Sequence, residues 1–202
     1  TEKPDMGIFM DEWKSLYESK SGERGIFNRA SANKMAEKTG RRQIEGHEFG
    51  TNPCSEIILR DREFCNLSEC VVRPTDTRET LLKKVELATI IGTFQSTLTN
   101  FKYVSSAWKR NCEEERLLGV SLTGIMDCKL TNGKEGDLEK LLAELREVAV
   151  ETNKKWAKKL GINQSVSITC VKPSGTVSQL VDAASGIHAR HNPYYILSLI
   201  HI

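Results

Sequence analysis

Asn52, Cys54 and Glu56 stand two residues apart in Gly50-Thr51-Asn52-Pro53-Cys54-Ser55-Glu56, an amide, a thiol and a carboxylate in alternation. On an extended segment, residues two apart share a face, so the spacing predicts three side chains pointing into one cavity. A nucleophilic thiol works beside a histidine base, and only His47 lies near in sequence. A carboxylate is a poor neighbour for a thiolate, because like charges repel. The arrangement suits instead a thiol that reacts neutral, by hydrogen-atom transfer, while Asn52 and Glu56 hold substrate hydroxyls. Cys65 follows eleven residues after Cys54, in Phe64-Cys65-Asn66-Leu67-Ser68-Glu69. It can pair with Cys54 only if a hairpin brings the two Cα atoms within about 7 Å. A partner elsewhere is equally open.

Two other readings of these residues stand beside that one. His47, Cys54, Cys65 and Cys70 are the right types for a zinc-binding or nucleotide-binding module without catalysis. Their spacings lack the tight cysteine pair usual in structural zinc sites. Alternatively the thiols are unreactive and buried in a β-hairpin. Cys112, Cys128 and Cys170 have no polar company and read as small core hydrophobes.

A second constellation is Lys172-Pro173-Ser174-Gly175-Thr176-Val177-Ser178, between an apolar run and a helix start. Free backbone N–H groups at a helix N-terminus bind phosphate, and the Ser174, Thr176 and Ser178 hydroxyls add donors. The spacing is not that of a Walker loop, and the same hydroxyls also suit plain capping. His188, Arg190 and His191, like Arg24, Arg29, Arg41 and Arg42, suit an anion or ordinary surface polarity. Trp108 and Trp156 read as core or interface aromatics.

These side chains need positioning elements. A helix is predicted within 5–20 and another around Ala32–Lys38, inside a long Gly- and Arg-rich stretch that leads into the Cys54 motif. Glu56–Arg60 and Ser68–Arg73 read as short strands. Asp76 and Glu79 make a capping pair for a helix with Leu81, Leu82, Val85, Ala88, Ile91 and Phe94 on a helical period. A further helix is predicted near Glu113–Leu118. The stripe Leu138, Leu141, Leu142, Leu145, Val148, Ala149, Trp156 and Leu160, closed by Gly161, marks the clearest one. Val166–Val171 reads as a strand and Thr176–Ala184 as a helix. Helices between short apolar strands argue for an α/β layered or barrel domain.

Composition narrows the class. The 202 residues are 39% hydrophobic and 28% charged, which supports a folded core and excludes disorder. A net charge of +2 is too balanced for a nucleic-acid surface. No apolar run reaches the length of a membrane span. Six widely spaced cysteines fit a reducing, cytoplasmic compartment. The chain opens without a methionine and closes on the apolar run Tyr194–Ile202, which suggests an excerpt of a longer polypeptide.

The paired motifs resemble the catalytic loop of the ribonucleotide reductases. Gly50–Arg60 and Glu63–Leu67 are most similar in wording to the adenosylcobalamin-dependent (class II) enzymes, particularly the monomeric type acting on ribonucleoside triphosphates. Thr93–Thr97, Glu114–Gly119 and Lys172–Thr176 are phrased in the same way, so the likeness runs from about Gly25 to Ile196. The resemblance implies residues 1–202 as one segment of a ten-stranded α/β barrel of the ribonucleotide reductase and glycyl-radical enzyme type, with Cys54 on an interior loop. It implies reduction of ribonucleoside triphosphates to 2′-deoxyribonucleoside triphosphates, with adenosylcobalamin as cofactor. Cys54 would carry a thiyl radical, Glu56 would take the 3′-hydroxyl proton and Asn52 would hold that hydroxyl. Cys65 would be half of a pair oxidised to a disulfide, its partner outside this segment. Pro173, Ser174, Gly175, Thr176, Val177 and Ser178 would bind substrate phosphates. A thioredoxin-like protein or small dithiol would restore the thiols through cysteines beyond this segment. A reductase subunit fed by a separate metal-containing radical subunit is the nearest alternative. Residues 197–202 depart from the family wording and are read as foreign, and the segment alone as inactive.

Overall fold

The structure is a computed structural model that describes residues 3–20, 25–38, 40–42, 44–192, 194 and 196; residues 197–202 lie outside them. Helix α1 (Met6–Ser19) starts at Asp5, whose carboxylate accepts from the Gly7 and Ile8 amides. This satisfies two of the four free N–H groups at a helix start. Helix α2 (Arg29–Lys38) buries Ala32 and Ala36. A short antiparallel hairpin follows, with β1 (Phe49–Thr51) paired to β2 (Ile58–Arg60) and Gly50 opposite Leu59. The six residues between these strands, 52–57, carry the Cys54 motif.

The core lies around a second sheet. Strand β3 (Asn66–Val71) pairs in parallel with β4 (Leu118–Thr123), Leu67 opposite Gly119. The crossover between them contains α3 (Arg78–Gln95) and α4 (Ser106–Glu115), as a parallel pair requires. Thr169 adds a single parallel bridge to Val120 on the other side of β4. Helix α3 is packed on this sheet, with α5 (Leu138–Leu160) against α3. Leu81, Val85 and Ala88 from α3 meet Cys70, Val72, Leu118, Val120 and Ile168, and Leu141, Leu145 and Ala149 from α5 complete the cluster. A one-turn helix, α6 (Val177–Leu180), closes the order.

The ten-stranded barrel is overturned. The described residues form four strands in two separate two-stranded sheets. A barrel closes only when every strand is paired on both sides, and here β3 pairs with β4 alone while β1 and β2 make a sheet of their own. The fold is an open α/β layer.

Several local expectations also shift. Glu56–Arg60 narrows to β2 and pairs with β1. Leu118 and Gly119 belong to β4 and not to a helix, because α4 stops at Glu115 and Arg116 turns left-handed (φ 48°). Helix α3 is capped by Thr77 and Thr80 in a reciprocal box. Asp76 instead accepts from the Arg73 amide and from Lys84. Val166–Val171 makes one bridge in place of a strand, and the helix expected over 176–184 is four residues long. The α5 stripe and its Gly161 cap stand as expected, Gly161 at φ 66°.

Candidate active site

The hairpin loop is turned, not extended. Ser55 donates its amide to the Asn52 carbonyl at 2.9 Å and adopts φ 59°. The shared face predicted for Asn52, Cys54 and Glu56 is therefore broken at Ser55. Cys54 is exposed at the loop tip, whereas the Glu56 side chain is fully buried. Asn52 fastens the loop from within, its Oδ1 accepting the Ile57 amide at 3.2 Å.

What meets Glu56 is Lys172. Its Nζ donates to Glu56 Oε1 at 2.9 Å, joining the hairpin loop to the residue before Pro173. Glu56 Oε2 is buried with no hydrogen-bond partner. Burial works to raise the Glu56 pKa, but contacts with the Lys172 and Asn52 side chains outweigh it and hold the carboxyl below its ordinary range. The same contact is the main cause that raises Lys172, which also feels Cys54 and Cys170.

Cys65 precedes β3, half-buried. Burial first, then Cys170, Glu56 and Glu63, push its thiol pKa far up, so it is held neutral. Cys170 is likewise pushed up to about 12, by burial and then Glu56. Both thiols and the carboxylate thus lie within electrostatic reach of one another. Gly119 leaves the room that Cys170 occupies: a Cβ there would stand 3.1 Å from Cys170 Sγ and 2.5 Å from Leu67 Cδ2.

The Pro173–Ser178 turn spends much of its donor capacity internally. Ser178 Oγ donates to the Gly175 carbonyl at 2.7 Å, and the Gly175 amide donates to Ser185 Oγ at 3.1 Å. Ser174 Oγ is buried without a partner. Thr176 makes no capping bond, and Val177 is exposed. The turn rests on Gly186, where a Cβ would come within 2.7 Å of the Lys172 carbonyl oxygen.

No family model matches the chain. It is 30% identical over 177 residues to the adenosylcobalamin-dependent ribonucleoside-triphosphate reductase of Lactobacillus delbrueckii subsp. bulgaricus, covering 76% of this chain and 24% of that protein. The protein of the same name from Lactobacillus gasseri is 29% identical over 202 residues, 87% of this chain and 27% of the relative. Among solved structures, a B-12 dependent (class II) ribonucleotide reductase matches with a TM-score of 0.57 at 30% identity, over 69% of this chain and 22% of that one. The chain belongs to the adenosylcobalamin-dependent (class II) ribonucleotide reductase family. It spans about a quarter of the length of the curated relatives it matches.

Within this reductase segment the zinc reading fails. Cys70 is in the core while Cys54 is exposed, and among the described residues no group of three or more His, Cys, Asp or Glu side chains could hold a metal. The cavity lined by Phe9, Phe27 and Glu48 and the one lined by Val120 and Leu142 do not include Cys54, so neither places a corrin beside that thiol. No step below is routed through adenosylcobalamin. Arg190 is paired with Asp127 and Asp182, and Arg42 is buried against Glu63 and Glu115, so neither is free for an anion. Cys112 accepts from the Phe64 amide and Cys128 is in the core, as expected for structural thiols. Among the described residues no helix is long and apolar enough to cross a membrane.

Two neighbours of the site have contacts that the sequence does not assign: in sequence Lys172 only leads into the phosphate turn, and Cys170 reads as a structural thiol. The available signal is spacing, since residues two apart on an extended segment share a face and Cys170 and Lys172 stand two apart. Cys170 and Lys172 are thereby set on one side of it.

Proposed function

We propose that this segment carries the radical chemistry of a ribonucleoside-triphosphate reductase. Cys54, as a thiyl radical, removes the hydrogen atom from C3′ of the ribose. Glu56 accepts the 3′-hydroxyl proton, and Asn52 orients that hydroxyl. The 2′-hydroxyl leaves as water as Cys65 and a second cysteine close a disulfide, one of the two thiol hydrogens going to that water and the other to C2′. Cys54 then returns its hydrogen to C3′. Ser174 and its neighbours Pro173, Gly175, Thr176, Val177 and Ser178 face the phosphates. A radical on Cys54 needs a cofactor, because no side chain generates one unaided; adenosylcobalamin is the one named in the relatives. A thioredoxin-like protein or dithiol reopens the disulfide. The setting is cytoplasmic, where a structural disulfide does not persist.

The observation that carries this reading is the buried Glu56 carboxylate, paired with Lys172 and with Oε2 unpartnered, within electrostatic reach of the Cys65 and Cys170 thiols. An acceptor for a hydroxyl proton and hydrogen-bearing sulfurs are the two chemical types the reaction needs together. The test is Cys54→Ser in a full-length reductase that carries this segment. Turnover should vanish even with a small dithiol as reductant, while Cys65→Ser should fail in multiple turnovers yet retain cofactor cleavage. Continued reduction by the Cys54 variant would refute the assignment.

A further inference from the structure

Glu56 has two carboxylate oxygens with different fates. Oε1 is held by Lys172 Nζ at 2.9 Å, whereas Oε2 is shielded and has no partner. A buried acceptor left without a donor costs free energy, so such an atom marks a place where another donor belongs. The groups facing this carboxylate are the Lys172 ammonium, the Asn52 side chain and the neutral Cys65 and Cys170 thiols. The backbone of Lys172 is itself fixed, because Gly186 packs directly under its carbonyl and under Pro173 Cα.

We propose that Lys172 is a positioning residue: it fixes one oxygen of Glu56 so that the other is left to accept the 3′-hydroxyl of a ribonucleotide. The inference rests on the reading of Glu56 given above. Lys172 acts through Glu56 and does not touch the substrate. Its one-residue distance from Pro173 makes substrate phosphate the rival partner, and the two roles have different signatures. A positioning lysine discriminates at the ribose. A phosphate ligand is blind to the 3′ position. The ion pair also keeps Glu56 ionised, which suits an acceptor.

The test is equilibrium dialysis with a ribonucleoside triphosphate and its 3′-deoxy analogue, using the full-length reductase carrying Lys172→Met or Lys172→Arg. Loss of one charge-supported hydrogen bond amounts to roughly tenfold in affinity. Lys172→Met should weaken the ribonucleotide about that much, leave the 3′-deoxy analogue unchanged, and move the acidic limb of the kcat/KM profile to higher pH. Lys172→Arg should recover most of the affinity. Equal weakening of both nucleotides would make Lys172 a phosphate ligand and overturn the proposal, as would no change in either. If Lys172→Met does not fold, Lys172→Gln takes its place under the same criteria. Glu56→Gln separates the two levels: if the parent enzyme does not distinguish the nucleotides and Glu56→Gln changes nothing, the functional reading itself falls, and this inference with it.

Discussion

Cys170 Sγ lies 3.1 Å from the point that a Cβ on Gly119 would occupy. The central strand β4 thus has a gap where Leu67 and Ile57 also converge, at 2.5 and 3.1 Å from that point. Gly119→Ala should force all three side chains to move. Overpacking of this kind costs about 1–3 kcal/mol. Urea unfolding of the full-length protein should show it as a lower midpoint with an unchanged slope.

Gly186 imposes a harder limit, because its neighbour is backbone. Its φ is 50°, and a Cβ would meet the Lys172 carbonyl oxygen at 2.7 Å. Gly186→Ala should cost about 1–3 kcal/mol in strain. It should also displace Lys172 from Glu56, so nucleotide affinity should fall together with stability. A variant with full stability and full affinity would contradict this contact.

The buried cluster of Arg42, Arg60, Glu63 and Glu115 gives stability a pH dependence. Burial, then the Glu115 charge, pushes Glu63 up to about 8, against the opposing Arg60 amide and Arg42. A carboxyl raised on folding keeps its proton in the native state after the unfolded chain has lost it. Its contribution is complete below the ordinary carboxylate range and declines as pH rises through about 8. Melting temperature should therefore fall across that window, and Glu63→Gln should flatten the decline.

Arg42 is the cation most deeply committed to that cluster, bonded to Glu63, Glu115 and the Ile58 carbonyl. Arg42→Met leaves buried carboxylates short of a partner, a loss of about 3–5 kcal/mol. Denaturant unfolding reads this directly. Adding Glu115→Gln to it should recover part of the loss.

Asn153 connects three parts of the chain. It donates to Thr93 Oγ1 at 3.1 Å and Ser165 Oγ at 2.9 Å, and accepts the Ser165 amide at 3.0 Å. Asn153→Ala should cost about 1–3 kcal/mol by leaving these groups unsatisfied. Hydrogen exchange should show the 165 amide losing protection.

The sequence by itself determined the helices whose burial is written in their own period. Helix α5 is legible because Leu141, Leu145 and Ala149 recur every turn and Gly161 ends it. It also pointed to the family, since the order Asn52, Cys54, Glu56 and Cys65 is a linear pattern that can be read without coordinates. The tertiary structure alone decided what these residues touch. Lys172 and Glu56 are 116 positions apart, and no local periodicity relates residues at that distance. Leu118–Thr123 is a strand only because β3 and Thr169 flank it. Sheet closure likewise depends on partners for each edge, which is why barrel-like wording in the sequence is compatible with an open layer here. Asn52, Cys54 and Glu56 first appeared as three chemical types in a line. Packing made Glu56 a fixed carboxylate with one oxygen held and one left over.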